Sequence, residues 1–163
     1  MIRIAEKQDL EHIDTIYSQA ITDGFHTAHT EPFSSQERLE WFQKYSEDDY
    51  PLFVYEKNNK VIGWISVSPY RKGRSALNET VEISFYVDFN FHGKGIGTEL
   101  VQHCLDQAEK IKKRVFLAII IEGNDGSIKL LKKLGFEQWG FLPDVIHFRN
   151  QLRGQIYMGK VIQ

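Results

Sequence analysis

The run Val115–Ile121 limits the fold of this chain more than any other segment, because all seven residues are apolar and most are branched at Cβ. A run this short and this apolar is typical of a strand that is buried on both faces in the middle of a sheet. It is also well short of the roughly 20 residues that cross a bilayer. We therefore predict a central strand here, in a sheet with helices on both faces.

Hydrophobic periodicity in the rest of the sequence predicts that this sheet is mixed. Short connections make the early strands antiparallel, whereas a helix between residues 80–87 and 115–121 requires those two strands to be parallel. We expect an α/β (α+β) fold with residues 1–163 in one domain, which is an ordinary size for a single core. The other predicted strands are 1–5, 52–56, 61–68, 80–87, 136–142 and 155–161. The predicted helices are 10–21, 39–45, 100–111 and 128–134. A capping box formed by Ser34 and Glu37 precedes the second of these helices.

Composition excludes several classes of function. Twenty basic against 22 acidic residues leave a net charge of −2, so no general field attracts a polyanion, and we expect no nucleic-acid partner. The first residues have no room for the apolar region of a signal peptide, and we predict a cytoplasmic protein with no membrane partner. The lone Cys104 lies in a helical pattern and is interpreted as a small core residue. No metal is predicted, because the His, Asp and Glu residues lack ligand spacing.

A glycine cluster follows the predicted strand at 80–87 and leads directly into a helix. Its glycines are Gly93, Gly95 and Gly97, a spacing that fits neither the Rossmann nor the P-loop nucleotide motif. What remains is a helix start whose free backbone N–H groups and positive dipole end favour a phosphate. The alternative is a tight strand-to-helix connection that binds nothing.

The cluster and two later motifs resemble the GNAT acyl-CoA N-acyltransferases, whose signature is Q/R-x-x-G-x-G/A followed by N-x-x-[AS] and L-G-F. The matching segments are 92–97, Asn124 with Ser127, and 134–136. Residues 30–32, 80–87 and 139–141 further resemble the phosphinothricin and methionine sulfoximine acetyltransferase branch. The resemblance covers nearly the whole chain. His92 departs from it by replacing the usual Gln or Arg.

The resemblance implies that the chain binds acetyl-CoA in a sheet that is splayed open between Val87 and Ile120. The backbone of β-strand residues Phe85, Tyr86 and Val87 would pair with the pantetheine arm, and Asn124 would meet its other side. The pyrophosphate would lie in a cradle formed by Gly93, Lys94, Gly95, Ile96, Gly97 and Thr98.

The resemblance also implies the catalytic groups. Glu82 matches the catalytic glutamate, which takes a proton from the attacking amine. Without the resemblance, Glu82 is equally well an outward-facing residue on an alternating strand. His147 is a candidate second base, although a lone histidine is more often structural. A backbone N–H near residues 87–89 would stabilise the oxyanion. Leu131 stands where many relatives carry a tyrosine that protonates the leaving thiolate.

The implied acceptor is the primary amine of a small amino-acid-like compound, such as phosphinothricin or methionine sulfoximine. Its predicted contacts are Glu82 and two loop segments, Thr30 with Glu31 and Ser75 with Ala76 and Leu77. Leu77 replaces the usual aromatic residue, so the acceptor stays open. The basic residues 71, 72 and 74 are either an attraction for a carboxylate or a solvated surface.

Two further functions remain open at this stage. The chain could acetylate another amine, such as an antibiotic, a polyamine or a protein N-terminus, or it could be a CoA-binding sensor without catalysis. A homodimer is also expected, because the apolar residues at 141, 142, 146 and 148 exceed what one core covers.

Overall fold

The computed structural model describes residues 1–162, which form seven strands and four helices. Three short 3-10 turns complete the regular structure of this part of the chain. In chain order the elements are β1 (Ile2–Ile4), α1 (Leu10–Asp23), α2 (Ser35–Phe42), β2 (Leu52–Lys57), β3 (Lys60–Pro69), β4 (Thr80–Val87), α3 (Ile96–Asp106), β5 (Val115–Ile121), α4 (Asp125–Lys133), β6 (Glu137–Phe148) and β7 (Gln151–Val161).

All seven strands lie in one mixed sheet, which confirms the predicted fold class. Their order is β1-β2-β3-β4-β5-β7-β6, and every neighbouring pair is antiparallel except β4 and β5. The predicted central strand is β5, whose Phe116 and Ala118 are fully buried. Helix α3 supplies the crossover that the parallel pair requires.

Strands β4 and β5 pair over only a short length and then separate. Thr80, Val81 and Glu82 are in register with residues 115–117, and no later residue of β4 pairs with β5 in the described chain. Beyond this point β4 still pairs with β3, while β5 pairs with β7 up to Ile121. The sheet is therefore splayed at the position that the family resemblance implies.

Each face of the sheet is covered by helices. On one face, α3 packs Leu100, Val101 and Cys104 against the sheet in a core that also contains Leu131 of α4. Cys104 is wholly buried, as its position in the helical pattern predicted. On the other face, α1 packs Ile13, Ile16 and Tyr17 against Val54 and Trp64. The acceptor side described below lies on this second face.

The start of α2 follows the predicted capping box. Ser34 accepts a hydrogen bond from the Glu37 N–H, and the Glu37 carboxylate accepts one from the Ser34 N–H at 2.8 Å. These two bonds satisfy backbone donors that have no partner inside the helix. They fix where α2 begins, and so they fix the position of Arg38 one turn later.

The β6–β7 hairpin is longer than the sequence predicted, since β6 runs to Phe148 and β7 starts at Gln151. The alternation is lost around Pro143 and Asp144, where the register shifts and Asp144 has a φ of 54°. The turn residues Arg149 and Asn150 are both left-handed without being glycine. Helix α3 is shorter than predicted, because residues beyond Asp106 form turns instead of continuing the helix.

No helix within residues 1–162 is long and apolar enough to cross a membrane.

The first test concerns an ion-pair cluster at the start of the chain. The Arg3 guanidinium lies 2.7 Å from both Asp9 and Glu56, and Asp9 is buried. Burial alone would raise the pKa of Asp9, but hydrogen bonds from Arg3 and from the Glu6 amide hold that pKa below its ordinary value. We expect Arg3→Met to lower the free energy of unfolding by about 2 kcal/mol at neutral pH, because it leaves a buried carboxylate unpaired.

Urea denaturation measures this loss. Asp9 contributes stability above the pKa it has in the unfolded chain and loses it as the pH falls through its native pKa. The difference between wild type and Arg3→Met should therefore shrink in acid. Equal unfolding free energies at pH 7 would contradict the assignment.

Candidate active site

The gap between β4 and β5 opens into a cavity of about 420 Å³. Its walls come from the end of β4, the glycine cluster, and the start of α4. The cavity brings together all but one of the residues predicted to hold the cofactor, namely Phe85, Tyr86, Val87, Gly93, Gly95, Ile96, Gly97, Thr98 and Asn124. Lys94 is the exception, since its Nζ donates to the Asn90 carbonyl at 3.0 Å and lies over the Phe91 ring.

The end of β4 presents free backbone groups to this gap. The Glu79 carbonyl faces β5, where it accepts from the Val115 N–H at 3.0 Å. Backbone groups alternate in direction along a strand, so the amides of Phe85 and Val87 face the same side, where β5 has already separated from β4. An extended ligand can therefore pair with this edge as an added strand does.

The amides just after β4 already have partners inside the protein. The Asp88 N–H donates to the Ile62 carbonyl at 2.9 Å, and the Phe89 N–H donates to Gln19 Oε1 at 3.0 Å. Of the three backbone donors predicted to stabilise an oxyanion, Val87 is the one that faces the gap.

The start of α3 provides a second set of free donors. Gly93 and Gly95 have φ values of 74° and 84°, which side chains other than glycine rarely adopt. Gly95 caps the helix without a side chain, so the amides of Ile96 and Gly97 have no partner within the helix. The positive end of the helix dipole therefore faces the cavity, as a phosphate requires.

His92, which replaces the usual Gln or Arg, connects the glycine cluster to β4. Its Nε2 lies 2.9 Å from the Val87 carbonyl. The side chain is therefore engaged with the protein backbone at the mouth of the gap.

A second cavity, of about 440 Å³, lies on the α2 side of β4. Tyr86 lines both cavities, so the two meet at this residue. Burial of its hydroxyl raises the pKa of Tyr86 well above the ordinary range. The floor of the second cavity is formed by Trp64, Ser66 and Ser68 of β3 and by Ser84 and Tyr86 of β4, and its walls are Tyr17, His29, Phe33, Glu37, Arg38, Glu40, Trp41, Lys44 and Tyr45.

Glu82 lies on the face of β4 that forms this floor, although its side chain lines neither cavity. Side chains alternate along a strand, so Glu82 lies on the same face as Ser84 and Tyr86, and its cross-strand neighbour is Ser68. Glu82 is half-buried, and burial raises the pKa of its carboxyl group. Its charge also contributes to the raised pKa of Tyr45, which burial brings to about 12. A carboxylate with a raised pKa is suited to accept a proton near neutral pH.

The predicted acceptor loops lie nearer the surface. Thr30 and Glu31 are exposed in the α1–α2 loop, between His29 and Phe33, which line the second cavity. Ser75, Ala76 and Leu77 form a 3-10 turn between β3 and β4, and none of the three lines either cavity.

The structure places His147 near the tip of the β6–β7 hairpin. His147 is exposed on β6 opposite Leu152, close to the hairpin turn, and it lines neither cavity. The hairpin tip is held on the end of α1, where Arg149 donates to the Thr22 carbonyl at 3.2 Å and Arg153 to the Gly24 carbonyl at 3.1 Å. The role of His147 as a second base remains a prediction.

Sequence reasoning missed the aromatic walls of the second cavity. Tyr17 and Trp41 occur at helical spacing, which is also typical of ordinary core residues. The Tyr17 hydroxyl hydrogen-bonds His29, and the pKa of His29 is lowered by burial and by the charge of Arg38. One signal was available, because Arg38 precedes Trp41 by three residues and so lies on the same apolar helix face.

Leu131 is wholly buried in the core beneath α4, so it leaves no acid at that position. In residues 1–162 no group of three or more His, Cys, Asp or Glu side chains is arranged to hold a metal ion.

Comparison with known proteins assigns this architecture to one family. The model described as "Acetyltransferase (GNAT) family" matches residues 18–136. YwnH of Bacillus subtilis (strain 168), named as a candidate phosphinothricin acetyltransferase, is 40% identical over 145 residues, which cover 88% of each chain. The L-methionine sulfoximine/L-methionine sulfone acetyltransferase of Salmonella typhimurium is 34% identical over 147 residues, which cover 88% of this chain and 84% of that protein.

Solved structures agree with the sequence matches. The phosphinothricin acetyltransferase of Sinorhizobium meliloti in complex with AcCoA superposes with a TM-score of 0.93 at 28% identity, covering 99% of this chain and 88% of that one. An N-acetyltransferase from Staphylococcus aureus Mu50 superposes with a TM-score of 0.95 at 32% identity, covering 100% and 98% of the two chains.

The glycine cluster can be tested by ligand binding. We expect Gly95→Ala to weaken CoA binding by about tenfold, because a left-handed alanine costs about 1–2 kcal/mol and disturbs the amides at the start of α3. Isothermal titration calorimetry gives the dissociation constant.

Gly73→Ala is the matched control. Gly73 has a φ of 82° and, like Gly95, nothing near its missing Cβ, but it lies outside both cavities. The control should lose similar stability while it retains wild-type affinity for CoA. Equal losses of affinity in both variants would mean that the glycine cluster does not hold the ligand.

Proposed function

The chain belongs to the GNAT acetyltransferase family, and on that premise we propose that its acceptor is a small amino acid of the phosphinothricin or methionine sulfoximine type. It is an N-acetyltransferase, and members of its family bind acetyl-CoA. The observation that carries the proposal is the pair of cavities, one at the free edge of β4 and one beneath α2, that meet at Tyr86. One has the backbone donors that suit a diphosphate and an extended arm, and the other has polar groups that suit an amino acid.

In this proposal the first cavity holds the co-substrate. The backbone of Phe85 pairs with the pantetheine arm, which leaves the Val87 amide for the acetyl oxygen, and the amides that begin α3 contact the pyrophosphate. Asn124 lines the opposite wall, where its side-chain oxygen also caps α4 by accepting from the Ser127 N–H at 3.2 Å. Lys94 contributes charge at the outside of the glycine cluster rather than a contact within it.

The acceptor amine attacks the thioester carbonyl directly. A C–N bond forms, the C–S bond breaks, the sulfur leaves as thiolate, and the amine proton passes to Glu82 directly or through water. The Val87 amide donates to the oxygen on which negative charge develops.

Thr30, Glu31 and residues 75–77 remain proposed acceptor contacts at the surface, and His147 remains a proposed helper. The proposal needs no metal ion, and it places the enzyme in the cytoplasm without a nucleic-acid or membrane partner.

Glu82→Gln tests the proposed base. We expect a loss of turnover of at least about 100-fold with unchanged acetyl-CoA affinity, because the amide cannot accept the proton. Burial raises the pKa of Glu82, so wild-type kcat/KM should fall on the acid side at a higher pH than an ordinary glutamate would give. This decline should be absent from the residual activity of Glu82→Gln. Release of the CoA thiol, followed across pH, measures both effects.

Glu79→Gln is the control, since Glu79 is an exposed carboxylate beside β4 that pairs with Arg114 at 3.3 Å. Comparable turnover in wild type and Glu82→Gln would remove Glu82 from the mechanism.

Two other results would change the proposed function. Acetyl-CoA binding without turnover of any amine would favour the non-catalytic sensor. Turnover confined to a polyamine, an antibiotic or a protein N-terminus would replace the proposed acceptor.

We also propose a homodimer formed through the β6–β7 hairpin. Strand β6 lies at the edge of the sheet and is exposed along most of its length. The hairpin exposes large apolar side chains, of which Leu152 is 60%, Val145 51% and Trp139 47% exposed. A second copy that covers this hairpin would remove the apolar surface from water.

Sedimentation velocity tests the dimer. We expect wild type to sediment as a dimer and Leu152→Asp to shift it toward the monomer, because a carboxylate would be buried at the interface. Thr15→Asp, on the exposed face of α1, is the control and should sediment as wild type. A monomeric wild-type chain at high protein concentration would contradict the proposal.

A further inference from the structure

Two buried side-chain nitrogens lack a hydrogen-bond partner among the residues that the structure describes. They are Nη2 of Arg38 and Nε1 of Trp64, and each residue is only 2% exposed. Both residues line the second cavity. Buried polar groups are nearly always hydrogen-bonded, so two unsatisfied donors in the wall of one cavity are an unusual coincidence.

Arg38 is held by groups that leave part of its guanidinium free. Nε donates to Asp14 at 2.6 Å, and this carboxylate is 35% exposed. The guanidinium carbon lies 4.4 Å from the Trp41 ring centroid and 4.5 Å from that of Phe33. Aromatic faces attract the cation and fix its plane, but they do not replace oxygen acceptors in that plane.

Trp64 presents the second donor from the floor of the cavity. It lies on β3 opposite Tyr86, and its ring is 4.6 Å from the Tyr86 ring and 5.6 Å from the Trp41 ring, between centroids. The indole N–H can only donate, so an oxygen-bearing group is required to satisfy it.

The acidic residues at the cavity are engaged elsewhere. The Glu37 carboxylate is bound by Ser34 in the capping box, and Glu40 accepts from Gln36 at 2.8 Å. Lys44 adds a further positive charge to the wall. The acidic side chains that line the cavity therefore do not satisfy Arg38 Nη2 or Trp64 Nε1.

We infer that Arg38 and Trp64 recognise an anionic oxygen group on the acceptor, either its α-carboxylate or an anionic group on its side chain. This inference rests on the proposed function and adds to it two residues that determine specificity. The recognised group lies among the aromatic rings of the second cavity, on the same face of β4 as Glu82. The enzyme therefore selects acceptors that carry both an amine and an oxyanion, and it discriminates against simple amines.

The experiment compares three acceptors in wild type and two variants. Phosphinothricin carries both anionic groups, its α-carboxamide lacks the α-carboxylate, and norvaline lacks the phosphinate. For wild type we expect kcat/KM to be about 100-fold or more lower than with phosphinothricin for the analogue that lacks the recognised group. The analogue that shows this loss identifies the group. In Arg38→Met this preference should fall to within about threefold, mainly through KM, because the cation that enforces it is gone.

Trp64→Phe keeps an aromatic ring on the floor and removes the N–H donor together with part of the indole ring system. We expect it to reduce the same preference by about tenfold, as loss of one hydrogen bond to a charged group does. Arg3→Met is the matched control, because it removes a partly buried, ion-paired arginine remote from the cavity. It should lower stability while the preference among the three acceptors stays at the wild-type value.

The outcomes separate this inference from the proposed function. A wild-type preference that survives Arg38→Met, or that is lost in Arg74→Met instead, would overturn the inference while acetyl transfer stands. If no acceptor is acetylated, the proposed function fails, and calorimetric binding of phosphinothricin with CoA present decides the inference. Binding that Arg38→Met weakens would support it, whereas no binding, or equal binding, would overturn it.

Discussion

The early end of pairing between β4 and β5 is the constraint on which the rest of this structure depends. Three residue pairs join the strands, after which each continues with its other neighbour. A continuous ladder would have used the backbone groups of Phe85 and Val87 within the sheet. Because the strands separate, these groups face a cavity, and buried backbone donors require partners. The same separation leaves room for the glycine cluster and the start of α3 to form one wall.

Alternation along β4 then gives the two sides of this strand different chemistry. Phe85 and Val87 pack against the core beneath α3, whereas Glu82, Ser84 and Tyr86 lie on the side of α1 and α2. One strand therefore presents backbone donors at its edge and a half-buried carboxylate on the face toward α1 and α2. In the proposed function, the thioester in the first cavity and the amine in the second meet at Tyr86, which lines both cavities.

Local patterns in the sequence were sufficient to predict those structural features of the site whose residues lie close together along the chain. The buried strand, the helix start at the glycine cluster and the capping box each depend on neighbouring residues, and the structure contains all three. The second cavity could not be predicted this way, because Tyr17, Arg38 and Trp64 come from three different elements. Nothing in their spacing distinguishes a cavity wall from a core. The position of His147 depends on the bulge at Asp144 and on a turn without glycine, and neither has a strong sequence signal.

Both cavities are lined by residues with unpaired N–H groups, which lack a partner within the helix at α3 and among the described residues beneath α2. At the start of α3 the donors are backbone amides, and helix geometry leaves them free wherever no side chain caps the helix. Beneath α2 they belong to Arg38 and Trp64, and they stay free because the surrounding groups are mostly aromatic rings and the nearby glutamates are bound elsewhere. Such donors add nothing to folding, since an unsatisfied buried donor lowers stability. In the proposed function and the inference drawn from it, ligands bring oxygen atoms to the donors at both cavities.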